Sequence, residues 1–164
     1  MTAELEAKAV QTARIQIAAP PERVYELVSD VTRTGEWSPE CRRCKWVGGA
    51  AGPEAGARFR GYNQFRWLRW SRLNEVIVAD PGREFAFKVL PDWFNKDSSV
   101  WRYRLEAGDG GTLVTESQEV LDLPGAVVRT LTSLVRRDDD MTENIEQSLQ
   151  RIKAIVEGGD GARE

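Results

Sequence analysis

The last helical pattern of the sequence, residues 138–157, constrains the fold more than any other stretch. Its apolar side chains recur every three or four positions, which is the period of one face of an α-helix. They are Met141, Ile145, Leu149, Ile152 and Val156. The acidic run Asp138 to Asp140 is expected to cap the start of this helix, and Gly158 to end it. Because about seven strand-like runs precede the helix, we expect it to lie on the apolar face of an antiparallel sheet.

The predicted strands are short runs in which apolar and polar side chains alternate, separated by turns rich in glycine or proline. They cover residues 12–18, 42–48, 57–64, 70–79, 84–90, 98–106 and 112–121. Two short helices are expected after the first strand, over residues 20–31 and 32–37, and another over residues 124–137. The sequence thus predicts a single domain of the α+β class over residues 12–157, with residues 1–11 and 158–164 as flexible tails.

Arginines on the alternating strands mark the face of the sheet that points to water. They are Arg58, Arg60, Arg102 and Arg104. The opposite face then carries mainly large apolar side chains, but three polar ones fall on it, namely Asn63, Tyr103 and Glu116. Since a buried polar group is costly unless it is paired, a cavity into which a few polar groups converge is the expected form of a ligand site.

Glu116 is the most informative of these three residues. Among inward-facing aromatic side chains its pKa should rise, so that it could exchange a proton near neutral pH. Glu116 and Tyr103 are therefore candidate catalytic residues, and Asn63 could hold a carbonyl group. Two plainer alternatives stay open: Glu116 pairs with an arginine such as Arg72, or a bulge in the strand turns it towards water.

The composition excludes several classes of function. The chain has 164 residues, no histidine and only two cysteines, which excludes histidine-dependent nucleophilic catalysis and a zinc site built from cysteine and histidine alone. A net charge of −3 gives no case for nucleic-acid binding. No apolar run reaches the roughly 20 residues that span a membrane, and the start of the chain lacks the apolar core of a signal peptide. We expect a cytoplasmic protein without a cofactor or metal.

Cys41 and Cys44 have the spacing of redox-active cysteine pairs, and the two arginines between them would lower a thiol pKa. The motif, however, enters a predicted strand rather than a helix. Residues three apart on a regular strand point to opposite faces. The pair is therefore interpreted as incidental.

The segment from Phe65 to Trp70 interleaves aromatic residues with arginines. This composition could stack on nucleic acid or lie at a membrane surface, but it also suits a hairpin between two strands, which the lack of a basic domain favours. Trp67 and, in a later loop, Trp93 and Phe94 could gate an apolar cavity or contact a partner protein.

Six short stretches, in their order and spacing, resemble the START-like superfamily and, within it, the polyketide cyclase/dehydrase and lipid-transport (SRPBCC) family. They are residues 19–30, 36–40, 56–61, 80–87, 111–117 and 149–153. The resemblance covers roughly residues 12–157. It implies a helix-grip fold, in which a curved antiparallel sheet wraps around a long C-terminal helix and a deep pocket.

The residues and the resemblance together predict that the protein binds a hydrophobic or aromatic small molecule, such as a lipid, polyketide or isoprenoid. The expected ligand-binding residues are Trp37, Phe59, Asn63, Phe85, Phe87, Trp101, Tyr103, Glu116, Leu134, Met141 and Ile145. The later part of the C-terminal helix, from Leu149 to Val156, is expected to pack directly on the sheet.

An aromatase/cyclase-type enzyme is the alternative function. In that case the pocket would orient a polyketide-like chain for aldol cyclisation and dehydration, with Glu116 and Tyr103 as proton-transfer groups. A third possibility is an interaction module that uses the loops of Trp67 and Trp93. The sequence predicts no stable membrane insertion, and it determines neither the ligand nor the oligomeric state.

Overall fold

Seven antiparallel strands form one sheet in the computed structural model, which describes residues 7–134 and 141–159. The strands are β1 (Ala9–Ile17), β2 (Cys41–Val47), β3 (Arg58–Phe65), β4 (Leu68–Asp80), β5 (Glu84–Val89), β6 (Ser98–Gly108) and β7 (Gly111–Asp122). Their order across the sheet is β1-β7-β6-β5-β4-β3-β2. Strands β2 to β7 therefore form a meander, and β1 pairs with its last strand.

The helices are α1 (Pro21–Ser29), a short 3-10 helix (Val31–Glu36), α2 (Ala126–Leu134) and α3 (Met141–Gly158). Two short helices after β1 and a long C-terminal helix confirm the predicted α+β order. The predicted cap from Asp138 to Asp140 lies outside the described residues. No helix that the structure describes is both long and apolar enough to cross a bilayer.

Strand β1 begins at Ala9, three residues before the strand predicted from the alternating pattern. Ala9 pairs with Val120 and Gln11 pairs with Gln118 on β7. Val10 is apolar yet 58% exposed, so hydrophobicity does not mark the inward positions at the start of this strand. Backbone pairing with β7, rather than a side-chain pattern, extends β1 into the predicted N-terminal tail.

Helices α1 and α3 pack on the same inner face of the sheet. Proline at the start of α1 suits the first helical turn, and Val24, Leu27 and Val28 are buried at helical spacing. The predicted apolar stripe of α3 is buried along its whole length. Lys153 donates a hydrogen bond of 2.8 Å to the carbonyl of Gln16, which fixes the end of α3 to β1.

The outer face of the sheet carries the predicted arginines. Arg58 and Arg104 are exposed there. Arg102 is half-buried, and its guanidinium forms ion pairs with Glu84 on β5 and Glu119 on β7. The face is thus polar, as expected, but its central arginine is held in an ion-pair network across three strands.

The turn between β6 and β7 approaches the end of β1 closely. Gly111 has φ of 129°, and a Cβ at this position would lie 2.0 Å from the carbonyl oxygen of Ile17. Only glycine fits both constraints. The next residue, Thr112, donates a hydrogen bond of 2.7 Å to the carbonyl of Ala19, so the turn holds the chain where it enters α1.

Helix α2 forms where the sequence predicts a helix, but none of its described residues is buried. Val127 is 66% exposed and Leu134 is 71% exposed. The apolar face of α2 therefore does not pack on the core, and among the described helices α1 and α3 cover the inner face of the sheet.

Candidate functional site

A cavity of about 150 Å³ lies between the inner face of the sheet and the first half of α3. Inward positions alternate along each strand, so several strands contribute side chains to it. The predicted ligand-binding residues that line it are Phe59, Asn63, Phe87, Trp101, Tyr103, Glu116, Met141 and Ile145. In α3 the cavity ends before Leu149, which packs on the sheet as expected.

Three of the predicted ligand-binding residues do not line this cavity. Trp37 and Phe85 are 1% and 0% exposed and belong to the core. Phe85 points inward as predicted, but α1 covers it, with the ring of Tyr25 6.5 Å away in an edge-on arrangement. Leu134 lies at the end of α2 and faces away from the core, because α2 does not close over the cavity.

Tyr103 on β6 and Glu116 on β7 are cross-strand partners. The Tyr103 hydroxyl donates a hydrogen bond of 2.9 Å to Oε1 of Glu116. Glu116 is 1% exposed, so it faces neither water nor the convex side of the sheet. Arg72 pairs with Asp97 instead of Glu116. Both plainer alternatives for Glu116 are therefore wrong in this structure.

The surroundings of Tyr103 and Glu116 favour the protonated, uncharged form of both side chains. Burial raises the pKa of the Glu116 carboxyl to about 8, although the hydrogen bond from Tyr103 acts in the opposite direction. Burial, and then the nearby Glu116, raise the pKa of Tyr103 well above its usual value, and the indole of Trp37 opposes this rise. The pair can therefore donate hydrogen bonds or a proton to a ligand while presenting no fixed charge.

Several buried polar atoms have no hydrogen-bond partner among the described residues. They include Oε2 of Glu116, Nε1 of Trp37 and Nε of Arg72. The Trp37 indole lowers the pKa of the Tyr103 hydroxyl, but its Nε1 forms no hydrogen bond with a described residue. In the protonated form, Oε2 of Glu116 is an available donor for a ligand oxygen, because the Tyr103 hydroxyl occupies only Oε1.

The wall formed by β4 is more polar than predicted. Arg72 is 8% exposed, and its guanidinium forms an ion pair with Asp97. Its Nη2 also donates hydrogen bonds of 2.9 Å to the carbonyl oxygens of Leu90 and Asp97. Asn74, two positions along the strand, donates a hydrogen bond of 3.2 Å to the carbonyl of Arg72. These contacts join β4 to the β5–β6 loop at the edge of the cavity.

Sequence reasoning missed Arg72, Asn74, Gln118 and Ser148 as cavity residues. Spacing alone could have found them. Arg72 and Asn74 have the parity of buried Val76 on β4, and Gln118 lies two positions after Glu116 on β7. Ser148 follows Ile145 by three positions on α3, so both lie on one helix face.

Cys41 and Cys44 also line the cavity, which contradicts the prediction that they point to opposite faces. The pairing of β2 with β3 shifts register between Cys41 and Arg43. Such a β-bulge adds one residue to a strand and so changes the side-chain parity. The two sulfur atoms consequently lie 3.3 Å apart. Across the described ranges, no group of three or more potential ligands could hold a metal ion.

The tips of the two aromatic loops lie outside the cavity wall, although Trp70 at the start of β4 lines the cavity. The segment from Phe65 to Trp70 forms the predicted hairpin turn between β3 and β4. At its tip Trp67 is 68% exposed, and in the β5–β6 loop Trp93 is 87% and Phe94 57% exposed.

A sheet wrapped around a long C-terminal helix, with a cavity between them, is the helix-grip architecture of START-like proteins. The chain belongs to the family described as polyketide cyclase / dehydrase and lipid transport, whose model matches residues 8–157. Among curated proteins, none matches the chain.

Solved structures that are less than 25% identical to this chain share its fold, among them two bacterial proteins. One, from Thermus thermophilus, is 23% identical, with 92% of this chain and 99% of that chain covered and a TM-score of 0.67. A START superfamily protein from Mycobacterium smegmatis is 18% identical, with 91% and 97% covered and a TM-score of 0.65. A polyketide-cyclase-like protein from Corynebacterium glutamicum is 36% identical over 96% of this chain and 88% of that chain, with a TM-score of 0.47.

Proposed function

We propose that this protein binds a small aromatic molecule carrying a carbonyl or hydroxyl group, in the cavity between the sheet and α3. One observation carries the proposal. Oε2 of Glu116 is a buried carboxyl oxygen without a partner among the described residues, in a cavity walled by aromatic rings. Protonated Glu116 donates to the ligand oxygen, while Phe59, Phe87 and Trp101 contact the ring. Membership of a family of cyclases and lipid carriers supports a hydrophobic ligand body.

The size and polarity of the cavity narrow the class of ligand. Its volume is about 150 Å³. A cavity of roughly that size holds benzene, whereas drug-sized ligands need roughly 300–1,000 Å³. A molecule of one or two small rings therefore fits better than a long-chain lipid. Asn63, Asn74 and Gln118 favour a ligand with further hydrogen-bonding groups.

Native mass spectrometry and NMR with acetophenone, naphthol and palmitate test this proposal. We expect the two aromatic compounds to bind and to shift the methyl resonances of Met141 and Ile145, and palmitate not to bind. Ser148→Leu fills the cavity from α3 and should abolish binding. Gln150→Leu makes the same change at an exposed position of α3 and should leave binding intact. Failure of both aromatic compounds to bind, or equal binding by the two variants, would contradict the proposal.

Catalysis of an aldol cyclisation and dehydration is a second candidate, favoured by the pKa of Glu116 of about 8. A general acid is most effective when its pKa lies near the working pH. Glu116 would protonate the departing or carbonyl oxygen, with Tyr103 as its hydrogen-bond partner and Asn63 holding a second carbonyl group.

Glu116→Gln separates the two candidate functions. The amide keeps the size of the side chain and can still accept the hydrogen bond from Tyr103, but it cannot transfer a proton. Binding of naphthol should persist, and turnover of a poly-β-ketone substrate should fall at least about 100-fold if Glu116 is the general acid. Turnover equal to that of the wild type would exclude this role for Glu116 and leave the binding proposal untouched.

A further inference from the structure

The two cysteines of the chain form a contact pair in the cavity wall. Cys41 and Cys44 are 7% and 5% exposed, both are free thiols, and their Sγ atoms lie 3.3 Å apart. Two sulfur atoms at this distance need a shift of only about 1.3 Å to reach the bonded distance of about 2.05 Å. Because both residues line the cavity, a small reagent that enters it reaches them.

The local backbone brings the two thiols together. The bulge at the start of β2 turns Cys41 to the side of Cys44. Ser38 accepts a hydrogen bond of 3.0 Å from the Cys41 amide, which anchors the bulge. Opposite Cys44 on β3 stands Gly61, where even a Cβ would lie 3.5 Å from the Cys44 sulfur. The absence of a side chain at Gly61 therefore leaves room for the sulfur pair.

The two cysteines have distinct chemical roles. A hydrogen bond from the Cys44 thiol lowers the pKa of Cys41, and the Arg42 guanidinium acts in the same direction, against the effect of burial. The pKa of Cys44 is raised by its hydrogen bond to Cys41 and by burial. Cys41 is thus the more acidic thiol and the better nucleophile, and Cys44 is the thiol that keeps its proton.

We propose that Cys41 and Cys44 are a redox-active dithiol that hydrogen peroxide entering the cavity converts to an intramolecular disulfide. The Cys41 thiolate attacks one peroxide oxygen, the O–O bond breaks, and Cys41 sulfenic acid and hydroxide form. The Cys44 sulfur then attacks the Cys41 sulfur, the S–O bond breaks, and the departing hydroxide takes the Cys44 proton to leave as water. Peroxide gains the two electrons that the two sulfur atoms lose. This chemistry requires no ligand in the cavity, so its test is independent of the ligand-binding test.

Peptide mapping of the full chain tests the proposal. The reduced protein is treated with hydrogen peroxide, its remaining thiols are alkylated, and it is digested with trypsin. Cleavage after Arg42 and Arg43 places the cysteines on separate peptides, so a disulfide appears as a cross-linked pair that a thiol reductant separates. We expect this cross-link together with the loss of two hydrogen masses from the intact chain. Two fully alkylated cysteines, or sulfinic acids without a cross-link, would overturn the proposal.

Single variants separate the two roles. In Cys44→Ser the sulfenic acid on Cys41 has no partner and should be trapped by dimedone. In Cys41→Ser the remaining thiol should react with peroxide at least roughly tenfold more slowly, because burial still raises the pKa of Cys44 and keeps its thiolate fraction small. Circular dichroism checks that both variants fold. Equal reaction rates in the two variants would contradict the assigned roles, and the cross-link in the wild type tests the pair without any variant.

Discussion

Glu116 shows how the chemistry of a single residue depends on its surroundings. Its neighbours on the inner face are mainly apolar, and among the described residues its hydrogen-bond partner is the Tyr103 hydroxyl. A carboxylate there would lose its hydration and gain only one hydrogen bond in return. The protonated form is therefore favoured over a wide pH range, which has a direct consequence for the stability of the fold.

The free energy of unfolding should fall as the pH rises from about 5 to about 9. The folded-state pKa of Glu116, about 8, lies above the ordinary value of 4.5. Between these values the folded protein holds a proton that the unfolded chain has lost, so raising the pH favours unfolding. The contribution is fully present below the unfolded pKa and lost as the pH passes through the folded pKa. Each pKa unit between the folded and unfolded states corresponds to about 1.4 kcal/mol, so we expect the free energy of unfolding to fall by a few kcal/mol.

Urea denaturation at a series of pH values measures this dependence, with Glu116→Gln as the control. The amide does not titrate, so the variant should lack the part of the pH slope that Glu116 contributes. The difference between the two proteins removes the contribution of all other titrating groups. Parallel stability curves from pH 5 to pH 9 would show that Glu116 is not buried in its protonated form.

At the level of elements, buried Arg72 connects β4 to the loop between β5 and β6. Its side chain is 9% exposed and that of its partner Asp97 is 30% exposed. Ion pairs that are shielded from water leave an uncompensated charge when one partner is removed. The ion pair between Arg72 and Asp97 thus holds the loop of Trp93 and Phe94 to the sheet.

Asp97→Ala should lower the free energy of unfolding by about 2–4 kcal/mol, since Arg72 would remain buried without its carboxylate. The matched control is Glu75→Ala, which removes the exposed ion pair between Arg58 and Glu75 on β3 and β4. That loss should cost less than about 1 kcal/mol. Chemical denaturation of both variants provides the comparison, and equal costs would mean that burial does not strengthen the Arg72 pair.

Helix α3 divides into a cavity-lining half and a core-packing half. Leu149→Ala should cost about 2–5 kcal/mol because the residue is 1% exposed and packs on the sheet. Met141→Ala should cost roughly half as much, since one side of Met141 already borders the cavity and loses fewer contacts. Exposed Gln150→Ala should stay within about 0.5 kcal/mol. Thermal denaturation that ranks Met141→Ala above Leu149→Ala would refute this division of the helix.

For the whole molecule, stability should be distributed unevenly between α2 and the sheet. The amides of α2 should exchange with deuterium much faster than those of β6, β7 and α3. None of the described residues of α2 is buried, so local opening of this helix exposes little apolar surface and costs little free energy. Hydrogen exchange followed by mass spectrometry of peptides from residues 126–134 and 145–156 makes the comparison. Equal protection of the two peptides would indicate that α2 packs more firmly than its exposed apolar face suggests.

Much of the fold and part of the site could be predicted because they depend on local spacing. The alternation of β3, β6 and β7 placed Phe59, Tyr103 and Glu116 on the inner face without knowledge of the partner strands. Phe85 has the predicted inward orientation but does not line the cavity, because α1 covers it and that contact joins distant parts of the chain. Leu134 is exposed and does not line the cavity, because an apolar helix face does not specify what it packs against.

The sequence by itself determined the order of elements, the buried stripe of α3 and the side of the sheet that the alternating residues of β3, β6 and β7 face. These properties follow from the periods of helices and strands, which are set within a few residues. Only the tertiary structure decided the size of the cavity, the pairing of Arg72 with Asp97 and the contact between Cys41 and Cys44. Each of these depends on how separate segments pair and pack, and one extra residue in β2 reversed the parity that its local pattern predicted.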